Sequence, residues 1–273
     1  MRPMYAILRK ELRDAVQSRW LVAFAVTFAL VALMLSLVQG RGGDIGSQGF
    51  NRTTAGLINL CLLLVPLLSL VLGAGAVAGE RDRGTLVALL SQPISAAELL
   101  LGKYIGLAIA VWGAIALGFG AAGLLVALIS PLTDIGHYAL FIVLSAALSS
   151  AMLSIGMLIS VLSDGRLKAL SAAILVWFVL VLFYDLGAIG LALSISSSGR
   201  TLLVAVLGNP VESVRLLAIM SLERDLQILG PLGSYMVDQL GTATSAGLLI
   251  AAIAVWTVAP LAVAIRVFGS QDA

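Results

Sequence analysis

The sequence predicts an all-α, polytopic membrane protein built as a single transmembrane domain over residues 1–273, and three observations carry that prediction. Hydrophobic residues make up 60% of the chain, charged residues only 11%, and the mean hydropathy is +1.10. A water-facing domain carries about 25% charged residues, so most of this surface is not meant for water. Six apolar stretches have the length of about 20 residues that a helix needs to cross a bilayer core: Trp20–Val38, Leu57–Ala78, Tyr104–Ile129, Tyr138–Leu162, Leu167–Leu193 and Ala246–Phe268. Few charges fall inside those stretches, and Asp185 is the clearest exception.

Ahead of the first stretch, residues 1–19 read as an interfacial helix. Tyr5, Leu8, Leu12, Ala15 and Val16 fall on one side at helical spacing, with Arg9, Lys10, Arg13 and Asp14 on the other. An amphipathic helix with a basic polar face lies along a membrane surface rather than through it. Basic residues lead into a full-length span with no small-residue cleavage site after it, so the first span is expected to be kept. Pro66 and Pro260 are expected to kink spans two and six, which membrane helices tolerate. Span three carries Ala110, Ala114, Gly118 and Ala122 at four-residue spacing, and span four carries Ala146, Ser150 and Ser154. Stripes of small residues let helix backbones approach closely in lipid. They read as packing within the chain, with a subunit interface as the alternative; Gly106, Gly113, Gly120 and Gly123 read as adding flexibility.

Asp185 lies near the outer end of span five, where water is reachable, and reads as an interfacial residue. The near absence of intramembrane charges argues against ion-coupled transport. Between the spans, the loop around Gly40–Gly56 is glycine-rich and Pro131–Gly136 is a tight connection. Residues 194–245 form a long external segment containing a helix start, Asn209-Pro210-Val211-Glu212, with Asn as N-cap, Pro at the first position and Glu at the third. Val211, Val214, Leu217 and Ala218 then line one face, and Gly230-Pro231 ends the unit. Two readings stay open: a docking or gating element for an external partner, carried by Asn209, Pro210, Glu212, Arg215 and Met220, or a cap packed on the chain's own spans.

Lys and Arg keep their loops cytoplasmic. Eleven of the 16 lie on the side of the two termini and the Glu80–Lys103 loop, including every lysine, which predicts that this side is cytoplasmic. The loop itself divides in two. Thr85–Leu90 can form a short helix with Leu86, Leu89 and Leu90 on one face; Glu80, Arg81, Asp82 and Arg83 make a mixed-charge entry, Gly84 a joint, and Pro93 a stop. Ser95-Ala96-Ala97-Glu98 is a capping box that opens the helix leading into span three. A short helix with an apolar ridge and a charged rim, tied to two spans, suits a partner's groove. The chain has no Gly-x-x-x-x-Gly-Lys-[Ser/Thr] phosphate loop, and Gly102-Lys103 reads as a helix-to-span junction.

Other chemistries find no support. The formal net charge of +2, without a basic or aromatic-interleaved patch, excludes nucleic acid as a partner. The single cysteine, Cys61, falls within a span and reads as a small buried hydrophobe. His137 stands alone and Met220 and Met236 are separated, whereas soft Cu(I) wants clustered Cys, Met or His. No His-Glu-x-x-His, paired acidic motif or Ser/His/Asp set supports an intramembrane enzyme. A purely structural anchor would not need the charged loop.

Gly79-Glu80, Arg83-Gly84-Thr85-Leu86, Leu89-Leu90, Pro93-Ile94-Ser95 and Gly102-Lys103, with Arg9-Lys10-Glu11-Leu12 before the first span, resemble the signature of ABC-2-type transporter permeases. The resemblance covers the whole chain. It implies a non-catalytic permease subunit in a bacterial inner membrane, without metal or cofactor of its own. ATP and Mg²⁺ would belong to a separate cytoplasmic ATPase, and a second permease copy would complete a homodimer. Glu80, Arg81, Arg83, Gly84, Thr85, Leu86, Leu89, Leu90 and Pro93 would be the ATPase-coupling residues. The span spacing, the Asn209-Pro210 … Arg215-Leu216 helix and the single C-terminal span further resemble permeases that serve copper-site maturation of nitrous-oxide reductase. That implies a periplasmic copper-handling solenoid protein as a partner, seated on residues 194–245 and the Gly40–Gly56 loop. An ABC-2 exporter of lipid, peptide or drug is the alternative, and nothing in the spans names a substrate.

Overall fold

The computed structural model describes residues 2–17, 26, 27, 30, 34, 47–86, 94–129, 135–184, 187, 198–222 and 226–271. Among the described residues every element is helical. In chain order these are α1 (Arg2–Val16), α2 (Ser47–Asp82), α3 (Ala96–Ile129), α4 (Ile135–Leu162) and α5 (Arg166–Trp177), which continues as a π-helix over Phe178–Phe183. Then come α6 (Gly199–Leu207), α7 (Pro210–Leu222), a 3₁₀ turn (Leu226–Leu229), α8 (Pro231–Ser234), a second π-helix (Tyr235–Leu240) and α9 (Thr242–Gln271). Among the described residues five helices are long and apolar enough to cross a membrane, and α6 with α7, bent by 118° at a short break, passes the same test as a pair. Of the predicted first span, Val26, Thr27, Leu30 and Met34 are described, all helical and exposed; Val26, Leu30 and Met34, four residues apart, make a stripe of apolar side chains facing outward. The rest of that span and Asp185 lie outside the described residues.

The helices overrun the predicted spans. α2 begins at Ser47 rather than Leu57 and ends at Asp82, and α3 begins at Ala96 rather than Tyr104. Hydropathy marks the length that sits in hydrocarbon, whereas the backbone ladder continues through polar turns until a cap or a glycine stops it. Ser95 and Glu98 form the predicted capping box: Ser95 Oγ accepts from Glu98 N at 3.2 Å, and Glu98 Oε2 accepts from Ser95 N at 3.1 Å. At the other end of the loop, Gly84 takes φ 69° just after α2, a left-handed conformation that favours glycine.

α4 is the centre of the bundle, in contact with α2, α3, α7 and α9. Its closest crossing is with α2. A Cβ on Gly73 would lie 2.6 Å from the Leu153 carbonyl oxygen, and one on Gly156 would lie 2.5 Å from that of Leu70. One turn further on, Ser160 Oγ accepts from the amides of Val77 and Ala78, each at 2.9 Å. The predicted stripe of span four faces α3 instead. Trp112 Nε1 donates to Ser150 Oγ and to the Ala146 carbonyl, and the Tyr104 hydroxyl donates to the Ser150 carbonyl. Gly106 needs correction, since it is a packing residue: a Cβ there would sit 2.9 Å from both the Leu8 carbonyl oxygen and Glu11 Cβ. Beside Pro66, which supplies no amide to the α2 ladder, Trp177 Nε1 donates to the Leu63 carbonyl at 3.0 Å.

The segment after α5 folds back into the bundle. Asn209 caps α7 as predicted, Oδ1 accepting from Val211 N at 2.9 Å, and its Nδ2 donates to the Leu180 carbonyl within the π-helix of α5 at 2.7 Å. Three carbonyls at the end of α6 find side-chain donors: Ala205 from the Tyr184 hydroxyl, Val206 from Ser213 Oγ and Leu207 from Trp256 Nε1. A helix end buried away from water requires such partners. Val211, Val214, Leu217 and Ala218 are buried as a set, together with Pro210, Ser213 and Leu216.

Candidate coupling site

A Cβ on Gly269 would lie 3.6 Å from Ala96 Cβ, so the end of α9 passes the start of α3, and both chain ends and the Glu80–Lys103 loop gather at one end of the bundle. α1 lies across that end, packed on α3 at Gly102 and Gly106. Ile7 and Ala15 are buried there, with Leu8, Glu11 and Leu12 half-buried, while Tyr5 is 66% exposed. The inner face of α1 is therefore turned from the one the sequence suggests: it contains Glu11 and omits Tyr5.

That rotation brings Glu11 to Lys103. Lys103 is 1% exposed, with Nζ 2.5 Å from Glu11 Oε1 and 2.8 Å from Glu80 Oε1. Lys10 approaches Glu80 Oε1 from the solvent side at 3.4 Å. A buried ammonium is strongly disfavoured unless paired and hydrogen-bonded, and the two carboxylates supply that pairing from two different elements. Glu80 accordingly departs from the charged rim assigned to it. It is 3% exposed and serves as an internal counter-ion.

The neighbouring residues fix the loop's first root in place. Arg81 Nη1 donates to the Ser163 carbonyl, and Asp82 Oδ2 accepts from Arg166 N at 2.9 Å. Asp82 thus caps α5, whose own N-cap, Gly165, has no side chain to do so. Beside this, the Lys168 ammonium, 2.8 Å from Asp164, holds that exposed carboxyl below the usual carboxylate range. The Thr85 hydroxyl donates to the Glu80 carbonyl at 3.3 Å.

Of the nine coupling residues read from the sequence, Arg83, Gly84 and Thr85 are exposed at this end. Leu86 is 8% exposed and packs into the core, a correction to the outward ridge expected of it: apolar surface that can be covered by the bundle is covered. Leu89, Leu90 and Pro93 lie outside the described residues. Lys103 and Glu11 were missed as members of the site. Both left a signal, a lysine at the mouth of an apolar span and an acid on the apolar side of an amphipathic helix.

At the far end, the five residues proposed for external docking are placed differently from that reading. Asn209 and Pro210 are fully buried, Glu212 and Arg215 pair with each other at 2.9 Å with side chains 14% and 27% exposed, and Met220 is half-buried against the core. Capping and packing within the chain use these groups, which is the second of the two readings. Among the described residues no group of three His, Cys, Asp or Glu is placed to hold a metal ion.

A bundle of membrane-length helices, with a charged loop rooted in buried ion pairs at one end, is the architecture of a multi-pass membrane protein. The chain belongs to the ABC-2 family of transporter proteins, whose family model matches residues 5–273. It is similar to the probable ABC transporter permease protein NosY of Pseudomonas aeruginosa, 31% identical over 274 aligned positions covering 97% of each chain. It is also similar to the protein of the same name from Stutzerimonas stutzeri, 32% identical over 241 positions, 85% of this chain and 87% of that one. The chain is a permease subunit of an ABC transporter.

Proposed function

We propose that this permease works in a bacterial inner membrane as a homodimer, driven by a separate cytoplasmic ATPase that grips residues 85–90. Its task is the copper-site maturation of nitrous-oxide reductase, together with a periplasmic copper-handling solenoid protein. The observation that carries this reading is the full-length likeness to NosY permeases. The charged end supports it. Arg83 and Thr85 are exposed there on a root held by Glu80, Arg81 and Asp82, so a force applied to the loop would reach α2, α3 and α5 together. The positive-inside distribution of Lys and Arg supports a cytoplasmic position for that end.

Two measurements test the reading. Leu89→Asp puts a charge on the ridge that the sequence predicts and is expected to lower permease-dependent ATP hydrolysis about tenfold or more while the permease stays in the membrane; an unchanged rate removes the coupling helix. Deleting the gene in a denitrifying host is expected to leave nitrous-oxide reductase short of copper. Full copper loading in that strain would leave the exporter reading.

A further inference from the structure

Two roots hold the coupling loop, the end of α2 and the start of α3, and one buried cation joins them. We propose that Lys103 is the positioning residue of the coupling loop: through Glu11 it keys both roots to α1, so that the loop and the N-terminal helix move as one body. The inference rests on the coupling reading above and adds a second output for the stroke.

Charge and shape meet at the same two turns. The Lys103 ammonium lies between Glu11 of α1 and Glu80 of α2, and all three groups are largely shielded from water. Glu80 Oε2 is buried without a hydrogen-bond partner, so this carboxylate depends on the cations at its other oxygen. On either side of Lys103, Gly102 and Gly106 let α1 sit against the α3 backbone. A Cβ on Gly102 would lie 3.1 Å from the Met4 carbonyl oxygen and from Ile7 Cβ, and one on Gly106 2.9 Å from the Leu8 carbonyl oxygen. Sliding α1 along α3 would drive its backbone over side chains and pull Glu11 from Lys103. Removing the lysine leaves two carboxylates facing each other, with the half-exposed Lys10 near Glu80. Like charges so placed repel, and α1 would come away from the root of the loop.

The test uses the full-length permease with its ATPase, in membranes, on a Cys61→Ala background. Lys103→Met is expected to keep ATPase capture, to cut permease-dependent ATP hydrolysis about tenfold, and to raise the mobility of a spin label at exposed position 5. A disulfide between Ile7→Cys and Gly102→Cys, whose Cβ atoms start 3.1 Å apart and must part by a few tenths of an ångström, replaces the key with a covalent one; the same pair with Lys103 intact is the control for that displacement. It is expected to restore most of the rate in the Lys103→Met variant and to lose that effect on reduction. Should Lys103→Met fail to fold, the triple variant Lys103→Met/Glu80→Gln/Glu11→Gln removes the tie without leaving a repulsion; its expected loss is in the rate alone, and a rate equal to the parent's overturns the proposal. A rate and a label mobility equal to the parent's overturn the proposal, as does a lost rate that the disulfide does not restore. A parent that captures no ATPase, with the label still loosened by the substitution, overturns the coupling reading and leaves the key standing.

Discussion

Single side chains here carry bonds between elements rather than within them. Asn209 is the clearest case, since its oxygen starts α7 and its amide nitrogen serves the Leu180 carbonyl in the π-helix of α5. Asn209→Ala is expected to cost about 2–4 kcal/mol, from a lost cap near 1 and an orphaned buried carbonyl of 1–3. Unfolding of the purified protein in mild detergent measures it; a loss under about half a kcal/mol would mean that water or a neighbour replaces the amide. The cap was legible in the sequence because Asn-Pro-x-Glu is a local pattern. Its second bond was not, because the acceptor is a main-chain carbonyl 29 residues away. Glu80 shows the same divide. It looked like one member of a surface charge run, and only its three-dimensional neighbour, Lys103, gives it an interior role.

At the scale of helices, closeness of approach decides which glycines matter. Gly156→Val would force side-chain atoms into the α2 backbone, where even a Cβ lies 2.5 Å from the Leu70 carbonyl oxygen. The expected cost is about 1–3 kcal/mol or more, typical of overpacking. Gly113→Ala is the opposite case: a Cβ there meets nothing within 4 Å, and alanine is the better helix former by about 1 kcal/mol. Equal thermal shifts for the two variants would contradict this packing. Hydropathy gave the order of the five described helices of membrane length, and the stripe of span four read as packing, the part Ala146 and Ser150 play against Trp112. The stripes did not reveal Gly73 against Gly156, because helix periodicity gives the face of one helix and not which helix lies opposite. The faces of α1 were misjudged by a similar limit: the helical pattern shows an acid bordering the apolar side, but not the buried cation on another helix that turns it inward.

For the whole molecule, the fold places Arg83 and Asp164 at one end and Gln239 at the other, with α9 returning the chain to the first. Impermeant thiol reagents should therefore label Arg83→Cys and Asp164→Cys from one side of a sealed membrane and Gln239→Cys from the other. Labelling of all three from one side would break the topology. Between those ends the α6–α7 hairpin is anchored by Tyr184, Ser213 and Trp256, each donating to a main-chain carbonyl. An acceptor of that kind is present whatever side chain it bears. Residues 205, 206 and 207 can therefore drift through evolution without disturbing the contact, while the three donors cannot. Comparisons among relatives that search for correlated pairs would pass over this anchor, and would record a tyrosine, a serine and a tryptophan held in place with no visible correspondent.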